Sequence, residues 1–255
     1  MVAAMAGFAV EDVLIKQMAA GLPVGQVLAL VGTGGGLLFC LIAMANGVPV
    51  ASRLFFERTV LLRNLGEAGG SAAFVTALAL TTLSGASAIL QATPLAVALG
   101  AAWFLGETVR WRRWTAIGIG LVGVLLVIRP GMEDFDPASL LALVAVVMLA
   151  VRDLASRVVP SIVSSLQVAA WGMLSLVPTG VLMLLLAGAA PQAMGLPDLL
   201  RLGAIVIIGG SAYYAVVAAT RIGELSAVMP FRYTRLVFAL ALALLVFGER
   251  PDPLT

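Results

Sequence analysis

Two arginines stand in a stretch otherwise suited to lipid. In VMPFRYTRLVFALALALLVFGERPD, from Val228 to Asp252, Arg232 and Arg235 are three residues apart, with Tyr233 beside the first. On a helix that spacing places both guanidinium groups on one face. Arg232 lies about six residues into its apolar run, roughly 9 Å deep at 1.5 Å of rise per residue. A charge at the bilayer centre costs on the order of 2.5–3.5 kcal/mol even on insertion scales, so something must offset it. One reading has the face meet a polar cavity, with Arg232 and Tyr233 contacting a solute and Arg235 gating or holding an ion pair. The other has both arginines snorkel to headgroups or pair with Glu224.

A second polar cluster, Glu11, Asp12 and Lys16, interrupts the first apolar run. Asp12 and Lys16 have the i,i+4 spacing of an acid–base pair on one helix face. They read either as a structural salt bridge or, with Glu11, as a proton or cation relay, since carboxylates within spans mark ion pathways. Gln91 lies just before Pro94, which frees a backbone carbonyl nearby, and its amide suits a solute or a neighbouring helix. Tyr214 and Trp171 offer rings for stacking, against the more common use of such rings in packing; Gln26 completes the expected substrate contacts. Asp153 and Arg157 read as an interfacial pair. The Gly118–Gly120–Gly123 stripe and GTGGG (Gly32 to Gly36) predict close helix packing. Glu107 and Glu249, each after a glycine at a span end, are expected to anchor loops.

These residues sit in a chain of 255 residues, 62% hydrophobic and 11% charged. Soluble domains are about 45–50% apolar and 25% charged. The segments Gln17–Ser52, Ala68–Gly106 and Val158–Pro197 carry no charge, and each exceeds the roughly 20 residues of a spanning helix. The apolar residues are continuous rather than alternating, which excludes a barrel. The fold class is therefore an all-α integral membrane protein. There is no histidine, and Lys16 is the only lysine, which removes His catalysis, His metal sites and a Walker A loop. Cys40 is alone and reads as a core residue. No cofactor, metal or catalytic residue is implied, and a net charge of +2 suggests no nucleic acid. The expected partners are a small-molecule substrate and the bilayer, with a proton or cation and a homodimer left open.

Nine spans are predicted: Met1–Ala19, Gly25–Asn46, Ala68–Thr82, Ala86–Leu105, Trp114–Ile128, Leu140–Arg157, Leu166–Leu186, Leu200–Thr220 and Ser226–Phe247. With Met1 cytoplasmic, nine arginines fall on the cytoplasmic side: Arg53, Arg58, Arg63, Arg110, Arg112, Arg113, Arg152, Arg157 and Arg221. Lys16, Arg129, Arg201 and Arg250 fall opposite, so the positive-inside rule favours this orientation.

The sequence also repeats itself. AVEDVLIK from Ala9 returns as AVRDLASR from Ala150, 141 residues on, and Gln26-Val27 returns as Gln167-Val168 at the same offset. FLGE ending at Glu107 returns as VFGE ending at Glu249. Five spans per repeat is an odd number, so the second half must insert upside down, as in secondary transporters built from inverted repeats. The halves are expected over 1–130 and 137–255. A mate of the fifth span is expected to follow Thr255.

ILQATPLAVALGAAWFLGETVRWRRWTAIGIGLVGVLLVIRPG, from Ile89 to Gly131, resembles the repeat unit of the drug/metabolite transporter superfamily, EamA type. VRDLASR and PFRYTRLVF…FGERPD resemble the branch that includes bacterial riboflavin importers and S-adenosylmethionine uptake carriers. The resemblance implies ten helices in two inverted halves and a central pocket opening alternately to each side of a bacterial inner membrane. It implies that helices three, four, eight and nine line the pocket. Riboflavin is the first substrate it suggests; S-adenosylmethionine uptake, or export of amino acids or drugs, are the alternatives. The chain departs from the branch at Val31, where an arginine is common. An enzyme would instead need a clustered nucleophile and base or a metal site, and a membrane scaffold would lack polar residues converging on a central cavity.

Overall fold

The structure is a computed structural model that describes residues 1–106, 111–128, 136–222 and 229–249. It is built of helices: α1 (Val2–Ala19), α2 (Val24–Ala45), α3 (Arg58–Leu80), α4 (Leu83–Leu90), α5 (Thr93–Phe104), α6 (Trp111–Ile128), α7 (Ser139–Val158), α8 (Ser165–Ala187), α9 (Leu196–Ala204), α10 (Gly210–Ile222) and α11 (Thr234–Phe247). A 3₁₀ turn precedes α11 at Met229–Tyr233, and a π turn at Ile205–Gly209 joins α9 to α10. Helices are the expected solution because a backbone in lipid must satisfy its own hydrogen bonds. Among the described residues these elements group into nine rods, as the apolar runs predict.

Five of the rods are long and apolar enough to cross a membrane: Val24–Ala45, Leu83–Phe104, Ser139–Val158, Ser165–Ala187 and Leu196–Ala219. Others, such as α1 and α3, carry interior charges. Outward faces remain greasy, with Leu41, Ile119 and Leu185 exposed to the surroundings.

The inverted arrangement is visible where α2 meets its own repeat mate, α8. A Cβ on Gly25 would lie 2.5 Å from the Gly180 carbonyl, and one on Gly32 would lie 2.8 Å from the Met173 carbonyl. As α2 advances, α8 recedes, so the mates run antiparallel. The predicted role of GTGGG in close packing holds. The repeated glutamines do matching work. Gln26 donates to the Gln192 carbonyl (2.7 Å) and accepts from its N–H (2.8 Å), fastening the loop after α8. Gln167 donates to the Pro49 carbonyl (2.7 Å), fastening the loop after α2.

The fold departs from the sequence expectations in several places, among them the ninth span, where Arg232 lies in a 3₁₀ turn and the α-helix begins at Thr234. The third rod starts at Arg58, ten residues before Ala68, because Arg63 and Glu67 pair inside the protein instead of ending the helix in water. The fourth rod breaks at Gln91-Ala92. Pro94 has no N–H for the Leu90 carbonyl, and the Thr93 hydroxyl donates to that carbonyl instead, at 2.7 Å. The Gly118–Gly120–Gly123 stripe is corrected: a Cβ on Gly120 would strike Leu95, but among the described residues nothing lies within 4 Å of one on Gly118 or Gly123.

Gly180→Ala should destabilise the protein by about 1–3 kcal/mol through overpacking, since its Cβ would sit 2.4 Å from the Gly25 carbonyl. Gly203→Ala, with open space around it among the described residues, should not. Thermal melting of the detergent-purified protein checks the contrast.

Candidate functional site

Rods from both repeats enclose a cavity of about 110 Å³. Glu11, Asp12, Glu67, Arg152, Arg232 and Arg235 supply its charges, with Gln91 and Tyr213 on its wall and Val31, Phe74 and Met173 among its apolar lining. Local chain geometry explains their convergence. Helical pitch turns Glu11 and Asp12 inward from α1, the break between α4 and α5 exposes Gln91, and the 3₁₀ turn at Met229–Tyr233 aims Arg232 at α7.

The charges are paired across elements. Arg235 of α11 binds Asp12 of α1 through both carboxylate oxygens, at 2.7 and 2.8 Å from Nη2. The Phe8 and Phe74 rings flank its guanidinium, at 5.0 and 5.4 Å, a geometry that suits cation–π attraction. A second chain of charges starts on α3. Glu67 accepts from Arg63 (2.8 Å), Arg152 (3.2 Å) and the Tyr213 hydroxyl (2.5 Å). Arg152 also holds Asp153 (2.8 Å), and Arg232 closes on the other oxygen of Asp153 (2.5 Å). Arg63 is only 2% exposed. Burying such charges costs several kcal/mol per ion unless partners satisfy them, and in this five-member chain each charge has at least one partner.

A third set of contacts lies where α3 ends and α4 begins. Glu249 accepts from the Leu83 N–H (2.9 Å) and from the Ser84 N–H and hydroxyl (3.0 and 2.8 Å), capping α4. Lys16 donates to the carbonyls of Leu78 (2.9 Å) and Thr81 at the end of α3, with its ammonium over the Phe247 ring. Each charge sits at the helix end whose dipole favours it.

Of the sequence-predicted residues, the structure brings Glu11, Asp12, Gln91, Arg232 and Arg235 to the cavity. Gln91 donates to the carbonyls of Arg232 (3.3 Å) and Tyr233 (3.0 Å), so it joins the two helix breaks. Five others lie elsewhere. Lys16 does not take Asp12, because Arg235 does. Gln26 is spent on the Gln192 backbone. Trp171 is buried away from the cavity and donates to the Val50 carbonyl (2.9 Å). Tyr214 is 38% exposed and Tyr233 41% exposed, both turned outward. Tyr213, one residue and about 100° away from Tyr214 on the helix, is the one that faces inward. Asp153 is no interfacial residue but a buried one. Arg63 and Arg152, counted among loop cations, are interior and drop out of the charge asymmetry. Glu249 anchors as expected, though to a helix end rather than a loop. Glu107 and Glu224 lie outside the described residues, as do Arg110, Arg129 and Arg250. Sequence reasoning missed Arg63, Glu67 and Arg152; the i,i+4 spacing of Arg63 and Glu67 was the available signal.

The profile of the EamA-like transporter family matches residues 1–129 and 136–255. The chain belongs to the EamA-like transporter family. A crystal structure 22% identical in sequence superposes on this EamA-like chain with a TM-score of 0.71, covering 99% of it and 89% of the other chain, which shows the shared fold. An S-adenosylmethionine uptake transporter of Rickettsia bellii (strain RML369-C) is 28% identical over 201 residues, 76% of this chain and 66% of the relative. A riboflavin transporter of Rhizobium johnstonii (strain DSM 114642 / LMG 32736 / 3841) is 26% identical over 219 residues, 86% of this chain and 72% of the relative. A riboflavin transporter of Vibrio cholerae is 29% identical over 164 residues, 64% of this chain and 54% of the relative. The matched region spans about two-thirds of the length of the Rickettsia relative.

Glu67→Ala should cost about 3–5 kcal/mol, because it leaves the buried Arg63 without its carboxylate and Arg152 with Asp153 alone. Tyr213→Phe removes one hydrogen bond to the same carboxylate and should cost about 1–3 kcal/mol. Melting temperatures of the two variants, measured side by side, check the ranking.

Proposed function

We propose that this multi-pass membrane protein is a secondary transporter that moves a small metabolite across a bacterial inner membrane by alternating access, with Met1 on the cytoplasmic side. The observation that carries the reading is the charged cavity between inverted halves, with two sets of polar contacts of different construction nearby. At the end where α3 begins, the Arg63–Glu67–Arg152–Asp153–Arg232 chain ties α3, α7 and the turn before α11. At the end where α3 finishes, Lys16 and Glu249 hold helix termini together. Releasing one set while keeping the other opens the cavity to one side only.

At about 110 Å³ the cavity is smaller than the roughly 300–1,000 Å³ of ordinary ligand sites. A metabolite of riboflavin's or S-adenosylmethionine's size therefore requires one closure to open and the rods to part. Arg232 and Gln91 are the proposed substrate contacts, with Asp12 and Arg235 as the pair whose separation gates the site. No step needs bond chemistry in the solute. Riboflavin and S-adenosylmethionine are the candidate substrates, because relatives carrying both names resemble this chain to a similar degree.

Uptake of radiolabelled riboflavin and S-adenosylmethionine into proteoliposomes tests the reading. Saturable uptake of one, suppressed by the unlabelled compound, is the expected result. Arg232→Ala should reduce it by at least about tenfold, equivalent to about 1.4 kcal/mol. It should disturb stability less, because Asp153 keeps Arg152 as a partner. Movement of neither compound, or equal loss of uptake and of folded protein in Arg232→Ala, would contradict it.

A further inference from the structure

Every acid on the cavity wall has an arginine except one. Asp12 has Arg235, and Glu67 has Arg63 and Arg152. Glu11 is 8% exposed, lines the cavity, and makes no hydrogen bond or ion pair among the described residues. A buried carboxylate without a hydrogen-bond or ion-pair partner is costly.

The far side of Glu11 shows why no side chain answers it. Its carboxyl group fills the space that a side chain would occupy on Gly209: a Cβ there would lie 2.5 Å from the carboxyl carbon and 2.6 Å from Oε1. Gly209 closes the π turn Ile205–Gly209, whose other residues are Ile205, Val206, Ile207 and Ile208. Insertions of this kind recur at functional sites. The internal repeat sharpens the contrast. In the alignment of AVEDVLIK with AVRDLASR, Glu11 falls on Arg152. Arg152 reaches across to an acid on the neighbouring rod, Glu67. Glu11 reaches across to an apolar turn and a bare glycine. One half holds a complete ion pair; the other holds a carboxyl group on the cavity wall.

We propose that Glu11 is the seat of a positive charge on the transported solute, so that the chain prefers solutes of net positive charge over neutral ones of the same shape. This deepens the transport reading above and rests on it. The groups that face Glu11 are its neighbour Asp12, Arg235 of α11 and Glu67 of α3; the arginine is already engaged by Asp12 through both oxygens. A cationic group entering the cavity finds Glu11 as the carboxylate still open to it, with the ring of Phe8 on the same wall.

The test compares three labelled solutes in proteoliposomes: S-adenosylmethionine, S-adenosylhomocysteine and riboflavin. The second lacks the sulfur methyl of the first and with it the sulfonium charge. The sulfonium compound should enter at least about tenfold faster than the thioether at low concentration, a difference of about 1.4 kcal/mol. Glu11→Gln, which keeps shape and removes charge, should erase that preference while the melting temperature holds. Gly209→Ala, whose methyl would displace the carboxyl, should reduce it in the same direction. Equal entry of sulfonium and thioether, preferred entry of riboflavin, or a Glu11→Gln protein that still favours the sulfonium would overturn the seat while leaving transport intact. So would a Glu11→Gln protein altered only in its response to pH, which would assign Glu11 to protons. Entry of none of the three would overturn the transport reading together with the seat.

Discussion

A charge in a low-dielectric interior must find its opposite, and that requirement organises this protein. The apolar rods place few constraints on one another beyond close packing, since lipid tails are as apolar as their side chains. The arginines and carboxylates do constrain them. Asp12 holds α11 to α1, Glu67 holds α7 to α3, and Asp153 draws in the turn before α11. Two of these three links join the first half to the second through partners far apart in sequence, and the third closes within the second half. Gly66 lets α3 and α7 approach closely beside the Glu67–Arg152 pair, since a Cβ there would lie 2.7 Å from the Arg152 backbone nitrogen.

The same requirement makes the structure poised rather than inert. Buried ion pairs add little net stability relative to a well-packed apolar contact, but removing one partner is expensive. A chain of such pairs can therefore exchange partners as a unit while resisting partial loss. The two ends of α3 differ in this respect. Near its start stands a five-member chain of side chains; near its finish Lys16 and Glu249 meet backbone groups of helix ends. A transporter needs closures that can open separately, and unlike construction allows that.

Much of the architecture was legible in the sequence. Continuous apolar runs gave the helices, and the odd number of spans between AVEDVLIK and AVRDLASR gave the inversion. Arg232 and Arg235 were legible as residues in need of partners, because their depth in an apolar run is itself an energetic anomaly. The partners were not. Asp12 has Lys16 at helical spacing, and only the tertiary approach of α11 shows that Arg235 takes it. Arg63 and Glu67 sat among loop-like charges, so the start of α3 was misplaced by ten residues. Tyr213 and Tyr214 are adjacent, and periodicity alone could not choose the inward one. The rings of Tyr214 and Trp171 looked available for stacking, yet one faces outward and the other is engaged by Phe55 and the Val50 carbonyl.

The central claim is that charges from opposite halves of the chain recognise each other across the cavity. A charge-swap cycle on Asp12 and Arg235 tests it most directly, with folded, monodisperse protein in detergent as the readout. Asp12→Arg and Arg235→Asp should each depress the folded fraction strongly, and the double variant should recover most of it. A double variant no better than the worse single variant would mean that the two residues are not partners, and the account would fail there.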